Sequence, residues 1–387
     1  MNILLFSRGY PSTKDPQWGC FERDQAKALQ KIGHKIIIIS VDGRFRFYYR
    51  KHGVTYINEN GIEIYNIYLF PLDLLIPFGY KFRLYFREKI AFFLFDKYIR
   101  KKHKVDLIYA HYLTNIYLAA RIKEKYNIPI VGIEHWSMLN RVKLPSYVRK
   151  MGEFGYGNVD QLISVSNSLR LSILSHFNKD SMVIHNMVSD DFFINDMPKR
   201  HLINAGDKIS IVAVGSLFYG KGYDVLIKAF AQTKLYKNGS QVIIIGGGNE
   251  YRKLSNLIEK LKLKDNIFLV GRKNKEEILK ILYSCDLFVH PSRGENFSVA
   301  IIEALSIGLP VVATLCGGAS ECINQDNGVL VSIDNIDALA EAILFVYDRI
   351  NKYNHEHIAN ECKSKYSSDV ISKQLNNVFV KVTNIKQ

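Results

Sequence analysis

The chain has 387 residues, of which 48% are hydrophobic and 23% charged, and its formal net charge is +15. This length exceeds the roughly 250–300 residues at which a single hydrophobic core stops growing, so we expect two domains. The composition is that of a soluble globular protein, the sequence has no low-complexity tract or recognisable repeat, and extensive disorder is not expected.

Apolar runs in the sequence are short. Met1 to Phe6 offers four consecutive apolar residues, and no later run approaches the roughly 20 residues that a membrane span needs. The five cysteines are scattered without a Cys-x-x-Cys pair, which argues against a disulfide framework or a zinc site. We therefore expect a cytoplasmic protein with reduced cysteines and no bound metal.

The positive charge is concentrated in the first half of the chain. Residues 1–200 carry 30 basic and 18 acidic side chains, against 22 and 19 in the remainder. The stretch Arg44–Lys104 interleaves thirteen basic and five acidic residues with aromatic side chains. Such a stretch is compatible with contact to an anionic membrane, with nucleic-acid binding or with an ordinary solvated surface.

Runs typical of strands alternate with amphipathic helical stretches along the first half. Strands are predicted for NILLF, KIIIISV, IEIYNIY, VDLIYA, IPIVGIE and DQLISVS, and the first helix for CFERDQAKALQKIGH. Ser166 is predicted to cap a helix that begins near Leu169. This order predicts one open α/β sheet, and we assign residues 1–190 to a first Rossmann-like domain.

Residues 186–208 are polar and irregular and predict a linker, after which the alternation starts again. Strands are predicted for KISIVAV, QVIIIGG, IFLVG, LFVHPS and LPVVAT, with the helices DVLIKAFAQT, YRKLSNLIEKL, EEILKILYSC and SVAIIEALSIG between them. We assign residues 191–366 to a second doubly wound domain and expect a helix over 367–387 to return to the first. The predicted architecture is therefore two Rossmann-like domains facing across a cleft, with ligand at the carboxyl ends of the strands.

The segment HPSRGENFSVAIIEALSIG, which begins at His290, places two glutamates around the start of a helix. Glu295 lies in the loop after a strand, and Glu303 follows inside the helix with seven residues between them. Carboxylates accept hydrogen bonds from vicinal hydroxyls, so one can bind a sugar and the other a ribose. The backbone amides of Phe297 and Ser298 are suited to hold a phosphate. Taken alone, both glutamates are also compatible with a solvated helix edge.

A second segment, VAVGSLFYGKGYDVL, joins a strand to a helix through a lysine bordered by glycines. The strand ends at Gly215, and the loop runs to Lys221 and Gly222. The ammonium group can meet a diphosphate while the glycines let the backbone approach the ligand. The loop is not a Walker motif, because no Ser or Thr follows the lysine. A solvent-exposed turn lysine is the alternative.

These segments, in this order and followed by GGASE at Gly317–Glu321, resemble the retaining family 4 glycosyltransferases over nearly the whole chain. The family motif of two glutamates separated by seven residues matches Glu295 and Glu303. The resemblance implies the GT-B fold, with Glu295 on the donor sugar and Glu303 on the nucleotide ribose. It also implies that Lys221 compensates the diphosphate and that the loop Asn296–Ser298 completes its binding site.

One position departs from the family pattern. The family usually has Gly-Arg where this chain has Gly215 and Ser216, so a guanidinium that normally helps to hold the diphosphate is replaced by a hydroxyl. Either Arg8, Arg272 or Arg293 substitutes for it, or the donor affinity is lower.

The first half carries weaker marks of the same resemblance. In the family's opening loop, a glycine corresponding to Gly19 lets the loop come close to the diphosphate. His135, in GIEHWSM, matches the family's active-site histidine near the transferred sugar, whereas His111 is more simply interpreted as structural. The pair Asp190 and Asp191 is expected to begin a helix rather than to bind a metal.

The sequence therefore predicts a metal-independent, retaining hexosyltransferase that uses a nucleoside-diphosphate sugar, a saccharide or lipid-linked acceptor and no cofactor. The predicted location is the cytoplasm, with peripheral contact at the inner face of the cell membrane, and no nucleic-acid partner is expected. A GT-B-fold sugar-nucleotide epimerase is the alternative among enzymes, and a basic nucleic-acid-binding protein is the alternative from another class. Neither alternative accounts for Lys221, Glu295 and Glu303 together. The run Gly246–Gly248 lacks the glycine spacing of dinucleotide-dependent oxidoreductases.

Overall fold

A computed structural model describes residues 1–15, 18–44, 52–68, 79–193, 202–204 and 206–384. The chain folds into two compact units, one formed by Met1–His185 with Ser368–Gln387 and the other by Asn186–Ser367. Parts of the predicted linker over 186–208 and of the basic stretch Arg44–Lys104 lie outside the described residues.

The first unit is built on a mostly parallel sheet covered by helices. Its strands are β1 (Asn2–Ser7), β2 (Lys35–Asp42), β3 (Gly53–Glu59), β4 (Ile62–Tyr68), β5 (Leu107–His111), β6 (Ile130–Glu134), β7 (Gln161–Ser164) and β8 (Met182–Val183). Its helices before the second unit are α1 (Cys20–Lys31), α2 (Gly79–Leu94), α3 (Tyr112–Tyr126), α4 (Ser146–Gly157) and α5 (Asn167–Phe177).

The strand order of this sheet is β3-β4-β2-β1-β5-β6-β7-β8, and β3 runs antiparallel to β4 while the other pairs are parallel. The central strands are buried on both faces, as the continuous apolar runs of β1 and β2 require. Chain order reverses between β1 and β5, which places a crevice at the carboxyl ends of these two strands. Open α/β sheets bind ligands at such a switch point.

The second unit repeats this design with a smaller, fully parallel sheet. Its strands are β9 (Ser210–Val214), β10 (Gln241–Ile245), β11 (Ile267–Leu269), β12 (Leu287–His290), β13 (Val311–Thr314) and β14 (Gly328–Val331). Its helices are α6 (Tyr223–Thr233), α7 (Tyr251–Lys260), α8 (Lys275–Tyr283), α9 (Val299–Ser306), α10 (Ala319–Cys322), α11 (Ile336–Tyr347) and α12 (His355–Tyr366). The order β11-β10-β9-β12-β13-β14 puts its switch point between β9 and β12.

The last helix, α13 (Ser368–Thr383), belongs to the first unit and packs on α1. Its Phe379 ring meets the Tyr109 ring edge-on at 5.1 Å between centroids, and Asn376 Oδ1 lies 2.9 Å from His34 Nε2. An apolar face and one polar contact therefore fix this helix to the sheet.

The strands and helices predicted from apolar periodicity are confirmed in both units. Ser166 caps α5 as predicted, because its hydroxyl accepts a hydrogen bond from Leu169 N at 3.2 Å. Strands β3, β8 and β14 were not predicted. Among the helices described, none is long and apolar enough to cross a bilayer.

Candidate active site

In the second unit, the two loops that carry the predicted donor site follow the neighbouring strands β9 and β12. Lys221 ends a 3₁₀ turn, Tyr219–Lys221, and Gly222 then starts α6 with φ +67°. A Cβ atom on Gly222 would lie 1.9 Å from the carbonyl oxygen of Pro291, which follows β12. Both this contact and the left-handed backbone require glycine, so the two loops lie against each other at the switch point.

Lys221 and Glu295 form an ion pair within this site. The Lys221 ammonium donates to Glu295 Oε1, and His290 Nε2 lies 3.5 Å from the same oxygen. The two paired side chains are 16% and 20% exposed, and burial lowers the pKa of Lys221 to about 8. Burial and the nearby ammonium also lower the pKa of His290 well below its usual range, so its imidazole is neutral. The site therefore presents one ammonium and one carboxylate beside a neutral ring.

The loop after Glu295 is buried and is held from two sides. Gly318 N donates to Asn296 O at 2.7 Å, and Asn186 Nδ2 donates to Phe297 O at 3.3 Å. Ser298 immediately precedes α9, so the predicted phosphate-binding amides lie at the start of this helix. Glu303 lies within α9 and is half-buried.

Arg293 joins the loop of Lys221 to the loop of Glu295. Its guanidinium donates to both Asp224 carboxylate oxygens at 2.8 and 2.9 Å, to Asp334 Oδ1 at 2.6 Å and to Tyr219 O at 2.6 Å. The hydrogen bond to Asp224 raises the pKa of Arg293 above its usual value. This guanidinium is committed to carboxylates, which disfavours the sequence-based option that it substitutes for the missing phosphate-binding arginine.

Arg272 is placed differently from Arg293. The loops after β9 and β10 are joined by a hydrogen bond from Gly215 N to Ile245 O at 2.9 Å. The Ser216 side chain in the first of these loops is exposed. The Arg272 side chain lies beside Gly247 in the second of these loops, where an added Cβ would be 3.1 Å from its Nε. Among the residues that the structure describes, no ion pair involves Arg272, so of the two candidate substitutes in this unit the geometry favours Arg272 over Arg293.

In the first unit, Gly19 and Arg8 lie at the carboxyl end of β1. Gly19 precedes α1 with φ +80°, and a Cβ there would lie 2.2 Å from Gly9 O, so glycine is required. Arg8 Nε donates to Glu22 at 3.0 Å, and its guanidinium carbon lies 3.8 Å from the centroid of the Tyr112 ring. Arg8 is thus paired within this unit.

His135 lies beside His111 at the ends of β6 and β5. The two rings stack with centroids 5.4 Å apart and planes 4° apart. Neither ring nitrogen of His111 has a hydrogen-bond partner among the residues that the structure describes, and burial lowers its pKa to about 3. His111 is therefore a neutral packing group against which the His135 ring rests.

Glu134 fixes the turn that presents His135, a role that sequence reasoning missed. Its Oε1 accepts from the backbone N–H groups of His135 and Trp136, each at 2.9 Å, and its Oε2 accepts from the Tyr156 hydroxyl at 2.6 Å. The side chain is fully buried, and burial raises its pKa to about 6. No local spacing signals this network, because Tyr156 lies on α4.

Asp190 and Asp191 start a 3₁₀ helix, Asp190–Phe192, and Ser189 Oγ donates to Asp191 at 3.0 Å. Over the part of the chain that the structure describes, no three His, Cys, Asp or Glu side chains are grouped as metal ligands.

Comparison with known proteins identifies the family. Residues 23–192 match Glycosyltransferase Family 4, and residues 194–360 match Glycosyl transferases group 1. An uncharacterized glycosyltransferase of Methanocaldococcus jannaschii is 30% identical over 250 residues, which cover 64% of this chain and 67% of that protein.

Two solved structures share the fold. Sucrose-phosphate synthase from Thermosynechococcus elongatus superposes with a TM-score of 0.81 at 17% identity, over 99% of both chains. HepE from Anabaena, in complex with UDP, superposes with a TM-score of 0.73 at 18% identity, over 98% of this chain and all of that one. The chain therefore belongs to the family 4 glycosyltransferases and has the GT-B fold.

Proposed function

We propose that this glycosyltransferase moves a hexosyl unit from a nucleoside-diphosphate sugar to a hydroxyl of a saccharide or lipid-linked acceptor, with retention at the anomeric carbon and without a metal ion. The observation that carries the proposal is the contact between Lys221 and Glu295 at the switch point of the second sheet. An ammonium and a carboxylate side by side can bind a diphosphate and the hydroxyls of the attached sugar. The UDP complex of HepE, which shares the fold, supports a nucleotide donor.

The chemical step develops negative charge on the departing diphosphate. Lys221 is positioned to stabilise that charge, together with backbone amides of the loop Asn296–Ser298 at the start of α9. Such preorganised groups contribute most where charge appears in the transition state. In the proposed mechanism a leaving phosphate oxygen takes the proton of the acceptor hydroxyl on the same face, so no protein nucleophile is needed. Glu303 is assigned to the ribose, and the role of His135 near the transferred sugar stays a prediction.

Donor binding must compete with the Lys221–Glu295 pair. A diphosphate carries more charge than one carboxylate, so Lys221 can turn from Glu295 to phosphate. Glu295 is then available to accept hydrogen bonds from sugar hydroxyls. The two residues would therefore act as a unit, and their substitutions should be non-additive.

Transfer assays test this assignment. Lys221→Ala and Glu295→Ala are each expected to lower kcat/KM for the donor by about 100-fold or more, the range measured for removing one transition-state donor. Lys228→Ala on α6 and Glu341→Ala on α11 are matched controls, because both side chains are exposed. Full transfer activity in both site variants, with folding intact, would disprove the site assignment.

Product analysis tests the reaction class. UDP- and GDP-sugars are first screened for thermal stabilisation, since a ligand that binds the folded state raises the melting temperature. The best donor is then incubated with and without acceptor, with excess chelator in parallel, and the anomeric configuration of the product is read by NMR. Donor conversion in the absence of any acceptor would favour the epimerase. A product with inverted anomeric configuration would overturn the proposal of retention. Loss of activity with chelator would overturn the proposal that no metal ion is needed.

Helix α2 supports peripheral contact with an anionic membrane. Four of its aromatic side chains are 38–54% exposed, namely Phe82, Tyr85, Phe86 and Phe93. Exposed aromatic residues among basic ones are typical of helices that lie in a lipid headgroup layer. We expect sedimentation with vesicles containing phosphatidylserine to fall for Phe82→Ser but not for Tyr251→Ser, which alters an exposed aromatic residue of α7. Equal sedimentation of both variants and the parent would remove this part of the proposal.

A further inference from the structure

A surface pocket of about 380 Å³ lies among the helices α2, α3 and α4 of the first unit. Its volume is within the roughly 300–1,000 Å³ of pockets that hold small molecules. The lining residues that carry the argument are four aromatic ones and two basic ones, namely Tyr80, Tyr117, Tyr147, Phe154, Lys81 and Lys150.

The walls of the pocket are aromatic, and ring contacts join the three helices. The Tyr80 and Tyr147 rings connect α2 to α4 with centroids 5.2 Å apart. The Tyr117 and Phe154 rings connect α3 to α4 with centroids 5.1 Å apart. Met151 of α4 is buried and completes the apolar part of the lining. Because each ring is held by a partner ring, the apolar surface is already formed, and a hydrocarbon group binds such a surface at a lower entropic cost.

Two lysines of this pocket are available to an anion. Lys81 on α2 and Lys150 on α4 are exposed, and neither side chain forms an ion pair or a hydrogen bond within the described part of the chain. The acidic residue of the lining is Glu88, and its carboxylate is paired with Arg121 Nε at 3.3 Å and accepts from the Tyr117 hydroxyl at 3.4 Å. Since Arg121 already balances Glu88, the two lysine charges remain for a ligand.

The pocket is continuous with the exposed aromatic face of α2 to which we assign membrane contact. Tyr85 belongs to both, because it lines the pocket and its side chain is 54% exposed. Its ring meets the Phe86 ring edge-on at 6.0 Å, and the Phe86 ring meets the Phe82 ring at 4.6 Å. A lipid in a bilayer that touches this face would therefore lie at the mouth of the pocket.

We propose that this pocket binds one phosphate-bearing lipid, with the hydrocarbon chain against the aromatic walls and the phosphate at Lys81 and Lys150. Ammonium groups donate charge-assisted hydrogen bonds to phosphate, and the rings remove part of the chain from water. The inference rests on the membrane contact within the proposed function, because it names the lipid class that this contact selects. It differs from a general attraction between a basic helix and an anionic surface, because it requires a site that takes a single lipid molecule.

Methionine methyl NMR of the full chain reads this pocket at one residue. The chain has six methionines, Met151 lines the pocket, and Met151→Leu identifies its resonance. Decyl phosphate, hexyl phosphate, inorganic phosphate and decyltrimethylammonium would be titrated separately, each amphiphile below its micelle concentration. We expect a saturable shift of the Met151 methyl with decyl phosphate, and an affinity that rises from hexyl to decyl phosphate by up to about fourfold for each methylene buried. The exposed Met182 lies outside the pocket, so its methyl should not shift.

The other two probes separate the chain from the charge. Inorganic phosphate lacks the chain, and decyltrimethylammonium carries the opposite charge, so neither should saturate the Met151 shift at the concentrations that suffice for decyl phosphate. No saturable shift with decyl phosphate, or an equal shift with either of these probes, would overturn the inference.

Variants then test the two lysines. Lys81→Gln and Lys150→Gln are each expected to weaken decyl phosphate binding by about threefold, as befits contacts with exposed charges, and the double variant by about tenfold. Lys101→Gln is the matched control, because it removes an exposed lysine of the same unit that does not line the pocket. Circular dichroism checks folding. Unchanged affinity in the folded double variant would also overturn the inference.

The two proposals fail in different ways. If decyl phosphate binds at Met151 but no nucleotide sugar is consumed with any acceptor, the proposed transfer activity fails and the pocket assignment stands. If nucleotide sugar is consumed and the Met151 resonance does not respond to decyl phosphate, the pocket inference alone fails.

Discussion

Substitution of Arg293 tests whether this residue positions the loops of the proposed donor site rather than binding phosphate itself. In Arg293→Gln the bidentate pair with Asp224 and the pair with Asp334 are lost, while a neutral amide can replace one bond at most. Two hydrogen bonds to the carbonyl oxygen of Gly220 do not involve the Arg293 side chain and are retained in the variant. Arg293 N donates one of them at 2.8 Å and Ser292 Oγ the other at 3.0 Å. We therefore expect the loop of Lys221 to loosen without detaching.

The expected loss of stability depends on how exposed the paired side chains are. The Arg293 side chain is 13% exposed and Asp224 31%, so this pair contributes most, whereas Asp334 is 50% exposed and its pair contributes little. Hydrogen bonds to charged groups are worth about 1.5–3 kcal/mol each and are not additive, so we expect a loss of about 3 kcal/mol in unfolding free energy. A displacement of about 1 Å in the site costs about 100-fold in rate, so kcat/KM for the donor should fall between about 10- and 100-fold.

Urea unfolding and steady-state kinetics measure the two effects separately. Arg252→Gln, on the exposed face of α7, is the control and should change neither. Arg293→Lys keeps the charge but not the fork geometry, so it should recover stability more than activity. A folded Arg293→Gln protein that keeps its donor kcat/KM within about twofold of the parent would refute the positioning role.

Three further predictions concern charge and backbone at the sites. Burial lowers the pKa of Lys221 to about 8, so the ammonium charge is lost as the pH rises above that value. The KM for the donor should then rise about tenfold for each further pH unit. The Lys221→Ala variant should lack this rise, since it has no ammonium to lose. Gly222→Ala should lower the free energy of unfolding by more than about 2 kcal/mol, because the backbone at Gly222 is left-handed and the new Cβ atom would meet the carbonyl oxygen of Pro291. Gly294→Ala is the control, because a Cβ atom there would meet no atom within 4 Å. Thermal unfolding compares the two variants. Burial raises the pKa of Glu134 from 4.5 in the unfolded chain to about 6 in the folded protein, so the folded protein binds the proton more tightly. This difference stabilises the folded state fully below pH 4.5, and the stabilisation is lost as the pH rises through 6. Glu134→Gln should therefore raise stability at pH 7.5 by about 2 kcal/mol and flatten its dependence on pH in urea unfolding; an unchanged pH profile would contradict this.

Predicted and observed elements agree where burial leaves a pattern in the sequence. The runs that became β1, β2, β9 and β10 are apolar because parallel strands are covered on both faces. Strand β3 is mostly exposed and polar, so it has no such run. Its signal was the Asn60–Gly61 pair between β3 and β4, where both residues have positive φ, as a two-residue hairpin turn requires.

The two loops of the proposed donor site were predicted to follow strands, but the contacts between these loops were not predicted. The sequence predicts that Lys221 and Glu295 each follow a strand. It does not predict that these two strands are neighbours, because the order of strands in a sheet cannot be derived from local periodicity. The bonds from Arg293 to Asp224 and Asp334 span 69 and 41 residues, so the sequence does not reveal them, and charge alone made Arg293 one of three candidate substitutes for the phosphate-binding arginine. The Glu134 network escaped prediction for the same reason.

The Lys221–Glu295 pair links the electrostatics of this site to its proposed specificity. Burying an ammonium is costly, and a nearby carboxylate reduces that cost, so the pair favours a charged Lys221 close to neutral pH. A ligand must offer Lys221 at least as much negative charge as Glu295 does, and it must offer Glu295 hydroxyl donors in return. Inorganic phosphate meets only the first condition, and a free neutral sugar meets only the second. A diphosphate joined to a sugar meets both conditions at once, so we expect the pair to favour such a donor over inorganic phosphate or a free sugar.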